Sequence, residues 1–169
     1  MSSSQTDEGK PNHGEELEKA KSYLGRLLKY RPRTEDEVRE RLTQKDYSFD
    51  VIDETLNWAK QNGLVDDRLF AEYYVEDRIQ NKPMGRSGMY KELLDHGVDR
   101  ELANEVLDEK ISSPDEEERC KKLARKRLSR YKNDEVDAKF RKTLGFLERR
   151  GFPKGLASSV LKDMLFNDD

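Results

Sequence analysis

The chain has 169 residues; 33 are Lys or Arg and 36 are Asp or Glu, so 41% is charged and only 33% hydrophobic. That is well above the roughly 25% charge of an ordinary globular domain, and a mean hydropathy of −1.09 argues against one sphere with a thick core. Apolar runs such as Met164-Leu165-Phe166 fall far short of the roughly 20 residues a membrane span needs, and the single Cys120 excludes an intrachain disulfide framework or a cysteine-built zinc cluster.

The polar start of the chain carries no apolar signal core, so a soluble, cytoplasmic protein is expected. Residues 1–14 read as a disordered acidic tail. A first helix places Ala20, Leu24 and Leu27 on one face, and Pro32 lies in the link that follows. Thr34-x-x-Glu37 is a capping box that opens a second helix. Leu42 closes its apolar stripe, and Asp46-Tyr47 makes a turn. A third helix then shows Val51, Ile52, Thr55 and Leu56 at i, i+1, i+4 and i+5. Trp58 stands two residues beyond Leu56, either packed between units or exposed.

The same grammar recurs. Asp66-Asp67 opens a fourth helix with Ala71, Val75 and Arg78 at the first helix's spacing. Pro83 matches Pro32. A fifth helix ends at Leu93, Gly97-Val98 makes the turn, and Leu102, Ala103, Val106 and Leu107 mark the sixth. Ser113-Pro114-Asp115-Glu116 opens a seventh helix with a cap and a first-turn proline, followed by Ala124, Leu128 and Tyr131. An eighth ends at Leu147, Gly151-Phe152 turns the chain, and Leu156, Ala157, Val160 and Leu161 mark the ninth. Each turn position is one where the chain needs positive φ. The fold expected is all-α: three tandem three-helix repeats over 15–64, 65–112 and 113–166, in an elongated, curved modular protein. Such a shape suits a chain rich in surface.

Charge is distributed unevenly. Residues 17–64 hold 10 basic and 9 acidic side chains, 65–113 hold 7 and 12, and 114–169 hold 15 and 11. No nucleophile, metal-ligand spacing or phosphate loop accompanies His13 or His96, and an N-cap role explains Asp66-Asp67 better than a metal site. No enzymatic activity and no cofactor are expected. Cys120, beside Leu123 and Ala124 on a helix, reads as a half-buried thiol. Tyr73 and Tyr74 are adjacent, so they cannot share one core face. Residues 119–132 contain eight Lys and Arg and no acid. Helical projection puts Arg119, Lys122, Lys126 and Arg130 on one exposed ridge opposite Cys120, Ala124, Leu128 and Tyr131. That ridge is either a solvated face suited to the helix dipole or a contact for a polyanion or an acidic protein. Lys139, Arg141, Lys142, Arg149, Arg150 and Lys154 in the same block favour the contact. A smaller cluster lies at Arg26, Lys29, Arg31 and Arg33.

These motifs resemble the RecX family, regulatory proteins of the RecA recombinase, over residues 20–166. The resemblance rests on Tyr30-Arg31-Pro32-Arg33-Thr34-Glu35 through Leu42. It continues in Gly63-Leu64-Val65-Asp66-Asp67-Arg68-Leu69-Phe70-Ala71 with Tyr74, Val75 and Arg78. Gly85, Leu93 and Gly97-Val98 follow, then Leu123 to Leu128, then Phe146-Leu147-x-Arg149-Arg150-Gly151-Phe152. Arg86 stands where many relatives have Pro, and Gly88 where a basic or bulky residue is common. The resemblance implies tandem three-helix repeats without enzymatic activity. It implies binding to RecA and to its DNA filament, with inhibition of ATP hydrolysis, strand exchange and filament growth, in DNA repair, recombination and the SOS response. For many members it implies direct binding to single- or double-stranded DNA, and no membrane or small-molecule partner. The candidate contact residues are Arg31, Arg33, Lys82, Arg86, Lys122, Arg125, Lys126, Arg130, Arg149 and Arg150. The rival expectation is a stand-alone DNA-binding protein that uses basic helix–turn–helix faces.

Overall fold

The computed structural model describes residue 9 and residues 12–167. Their elements are α1 (His13–Tyr30), α2 (Glu35–Gln44), α3 (Phe49–Gln61), α4 (Asp67–Asn81), α5 (Arg86–Asp95), α6 (Arg100–Lys110), α7 (Ser113–Leu128), a short 3-10 turn (Ser129–Tyr131), α8 (Val136–Arg149) and α9 (Lys154–Phe166). No strand occurs among the described residues. Most of the expected tail lies outside them. His13 and Gly14, assigned to that tail, instead form the first turn of α1, because the Asn12 side chain accepts the Glu15 N–H and starts the helix there.

The recurring turn has one geometry. Asp46, Gly97 and Gly151 have φ of 61°, 91° and 85°. In each case the next residue donates back to the leucine that ends the stripe. Tyr47, Val98 and Phe152 donate to the carbonyls of Leu42, Leu93 and Leu147 at 3.3, 3.0 and 3.1 Å. This Schellman closure satisfies carbonyls that the helix leaves open. Leu42, Leu93 and Leu147 are completely buried. Asp46 holds the left-handed conformation with a Cβ, which costs about 1–2 kcal/mol, partly offset by the backbone entropy a glycine would lose. Asp46→Gly is therefore expected to gain about 0.5–1 kcal/mol in a urea titration.

Each triplet of helices has its own core. The first gathers Ala20, Leu24, Val38, Leu42, Val51, Ile52 and Leu56, with Trp58 half-buried against it. Trp58 thus packs inside its own unit, and Lys21 Nζ sits 4.8 Å from its ring centre. The second core is built on Phe70, Ala71, Tyr74, Val75, Met89, Leu93, Val106 and Leu107. The third is built on Cys120, Ala124, Leu147, Phe152, Ala157, Val160 and Leu161. Tyr74 is buried while its neighbour Tyr73 is exposed.

Compact units follow a different division from the cores. Among the described residues, those up to Asp67 form one unit and those from Arg68 onward form the other. In the first unit, Thr34 Oγ1 accepts the Glu37 N–H at 3.1 Å, and Asp67 Oδ1 accepts the Glu35 N–H at 2.9 Å. Two side chains therefore serve the start of α2, and Asp67 has the structural role expected of a cap, on a helix other than its own. Asp66 is exposed.

The second unit contains the second and third cores, joined by backbone. Gly85 N–H donates to Arg150 O at 2.8 Å. A Cβ on Gly85 would stand 2.3 Å from Gly151 O, one on Gly151 would stand 2.3 Å from Gly88 N, and one on Gly88 would lie 3.1 Å from Gly151 Cα. Glu116 on α7 accepts the Arg86 N–H at 2.9 Å and so caps α5, where Gly85 offers no side chain. Arg119 is turned into this joint. It is 9% exposed, and its Nε donates to Met84 O at 3.4 Å.

A half-buried network braces the second core. Tyr74 Oη and Arg78 Nε both donate to Glu92 Oε2, the latter at 2.9 Å. Burial is the largest single influence on Glu92 and pushes its pKa up. The bonds from Tyr74 and Arg78 outweigh it and hold the carboxyl below its usual value. Its stabilisation is complete above the unfolded pKa of about 4.3 and is lost as pH falls through the lower folded value. Glu92→Gln is expected to cost about 1–3 kcal/mol at pH 7. That cost should shrink progressively as pH falls below about 4, read as urea midpoints across the acid range.

Candidate partner-binding face

The seventh helix sets up the site. Ser112, rather than Ser113, is its N-cap, in a capping box with Asp115, and Pro114 lies in the first turn. The cap falls one residue earlier because Asp115 then occupies the third helical position, from which it reaches back to Ser112. Its oxygen accepts the Ser112 hydroxyl at 2.5 Å. Acids fill the first turn and Arg125, Lys126 and Arg127 the last, the arrangement the helix dipole favours. The apolar side of α7 places Cys120 and Ala124 at zero exposure. Cys120 is wholly rather than half buried, and burial pushes its thiol up to about 11.

The expected ridge is shorter than its projection. Arg119 leaves it for the joint described above, because a helix wheel carries no information about the carbonyl of Met84. Lys122, Arg125, Lys126 and Arg130 remain exposed. Tyr131 is half-buried on the 3-10 turn, where α7 has already ended.

Leu123, Lys126, Arg127 and Arg130 follow i, i+3, i+4, i+7 spacing along α7 and the turn. Phe146 and Arg150 face them from the end of α8, and together the six line a cleft of about 140 Å³. The Arg127 guanidinium carbon lies 4.4 Å from the Phe146 ring centre, and that of Arg150 lies 5.2 Å from it. Arg127 Nε also donates to Tyr131 Oη at 3.1 Å. Among the described residues, the ion pairs of this domain are Lys121 with Glu117 and Glu118, and Lys142 with Asp134. None includes a cation of the cleft.

The other candidate residues divide. Arg149 is exposed outside the cleft, and Lys82 is exposed after α4. Arg86 pairs with Asp108 at 2.5 Å. Arg31 pairs with Glu37 at 2.5 Å. The Arg33 side chain is 11% exposed and 3.6 Å from the same carboxylate. Burial lowers the Arg33 pKa, and its Nε is enclosed without a partner. Glu37 thus engages both arginines of the first unit, Arg33 enclosed and Arg31 still partly exposed. Phe146 and Arg127 were absent from the sequence-derived candidates. The signal available was an aromatic three residues before Arg149, on a helix that returns toward a basic one. Among the described residues no group of acids, His and Cys could hold a metal ion, and no helix is long and apolar enough to cross a membrane.

Family models for the RecX first, second and third three-helix domains match residues 20–58, 66–107 and 115–161 in that order. The chain belongs to the RecX family. The regulatory protein RecX of Amycolatopsis mediterranei is 36% identical over 89% of this chain and 86% of its own length. That of Mycolicibacterium smegmatis is 35% identical over 89% and 82%. A crystal structure of RecX from Lactobacillus salivarius superposes with a TM-score of 0.79 over 89% of this chain and 97% of that one, at 24% identity, and shows the shared fold. A second RecX crystal structure gives 0.78 at 25% identity, over 92% and 75%. The cleft therefore sits in the third RecX domain, and the buried motif residues Phe70, Ala71, Tyr74 and Val75 lie in the second. Its relatives' names support a regulatory role for this chain.

Proposed function

We propose that this chain binds the RecA recombinase and its nucleoprotein filament, and restrains ATP hydrolysis, strand exchange and filament growth in DNA repair and recombination. The observation that carries this reading is the ordered match of all three RecX domains along one chain. Charge distribution suggests the division of labour. The third domain, with an excess of cations, meets DNA phosphates or acidic recombinase faces. The second, with an excess of acids, meets basic recombinase loops that would otherwise grip DNA.

The test is recombinase ATPase on single-stranded DNA, titrated with this protein from substoichiometric to equimolar ratios. Inhibition that sets in below equimolar protein is the expected result. Unchanged hydrolysis at equimolar protein would overturn the reading. The exposed cations of α7 favour one alternative, a stand-alone DNA-binding protein. Tight, sequence-selective binding to naked DNA without recombinase is the observation that would select it.

A further inference from the structure

We infer that the cleft between the ends of α7 and α8 is a phosphate-binding site, with Lys126, Arg127, Arg130 and Arg150 as ligands and Phe146 as the platform that aims two of them. Four cations converge on one small cleft, and none has a carboxylate partner among the described residues. Solvated surface cations repel and spread apart. Here two guanidiniums are held against the same ring at 4.4 and 5.2 Å. Cation–π attraction holds a guanidinium over a ring while its N–H groups stay available to an anionic acceptor.

The helix dipoles explain part of this clustering, since Lys126 lies in the last turn of α7 and Arg150 is the C-cap of α8. They do not supply acceptors. The one hydrogen bond recorded for these four side chains is that from Arg127 Nε to Tyr131 Oη, which orients the guanidinium. The remaining donors meet no acceptor in the described structure. A dianionic tetrahedral oxyanion supplies the charge and the several acceptors that such an arrangement lacks. Cleft size suits one phosphate group at a time, carried by a nucleic-acid strand or by a free nucleotide.

This inference stands on the cleft's geometry and does not depend on the recombinase reading, so the test omits the recombinase. The full chain, labelled with nitrogen-15, is titrated separately with inorganic pyrophosphate, ATP, a short oligothymidylate and oligoglutamate, while the arginine Nε–H resonances are followed. Saturable shifts at Arg127, Arg130 and Arg150 are expected. Arg130→Gln and Arg150→Gln should each weaken binding about tenfold, the scale of one charge-assisted hydrogen bond. Arg141→Gln, which removes an equal charge from an exposed position on α8, should change it less than about twofold, as expected for a screened charge.

Saturation by ATP as well as the oligonucleotide would establish the phosphate site and admit free nucleotides. Saturation by the oligonucleotide together with pyrophosphate, but not ATP, would establish it and assign the strand as the source. Shifts that do not saturate, or equal weakening by Arg141→Gln and Arg150→Gln, would overturn the inference in favour of diffuse charge. Binding of oligoglutamate without binding of any phosphate would overturn it in favour of an acidic protein partner.

Discussion

Gly151→Ala is expected to destabilise the second unit by about 3 kcal/mol or more, as two costs fall on one methyl group. The residue has φ of 85°, where a side chain costs about 1–2 kcal/mol. Its Cβ would also stand 2.3 Å from Gly88 N, and forcing backbone apart in a packed joint costs about 1–3 kcal/mol more. Two further variants separate these contributions. Gly63 has φ of 68° but open space around a built Cβ, so Gly63→Ala should show the conformational cost alone. Gly85 has an ordinary φ of −76° but would meet Gly151 O at 2.3 Å, so Gly85→Ala should show the crowding alone. Amide hydrogen exchange at Leu93 and Leu147 reads the outcome separately for the second and third cores. If Gly151→Ala cost no more than Gly63→Ala, the close backbone joint would be wrong.

Charge reversal at Lys122, Lys126 and Arg130 together should abolish most recombinase inhibition, with a loss of about 100-fold or more in apparent affinity at low salt. All three are exposed, and surface changes of this kind alter stability by only about 0.5 kcal/mol each, so a thermal melt should stay near the parent's. If the partner surface is phosphate, the slope of log affinity against log salt should fall by about one for each contact removed. If it is an acidic protein face, the loss should fall mainly on the association rate. Inhibition that survives the triple reversal would remove α7 from the contact surface.

What could be read in advance follows from what a helix repeats along itself. Leu42, Leu93 and Leu147, and the turn positions Asp46, Gly97 and Gly151, were visible because one geometry recurs three times at near-constant offsets. A period reports which side of a helix is covered. It does not report what covers it. Arg119 sits on the exposed side of α7's wheel, yet it is buried by the Met84 carbonyl, 35 residues away. Gly88 looked like a departure from the family pattern. A Cβ there would lie only 3.1 Å from Arg150 O and Gly151 Cα, because the Arg150–Gly151 turn lies close against α5. The cleft was half legible. Lys126, Arg130 and Arg150 stood out as charge, whereas Arg127 and Phe146 acquire meaning only where α8 returns beside α7. Arg31 and Arg33 also stood out as charge, but Glu37 on the following helix engages both.

Cys120 gives the molecule a built-in reporter. It is the chain's single thiol, it has no exposed surface, and burial holds it protonated. A thiol reagent can attack only after the third core opens. Its labelling rate therefore clocks the breathing of one domain in an otherwise unmodified protein. A partner that clamps α7 against α8 would slow that clock, and one that pries the two helices apart would speed it.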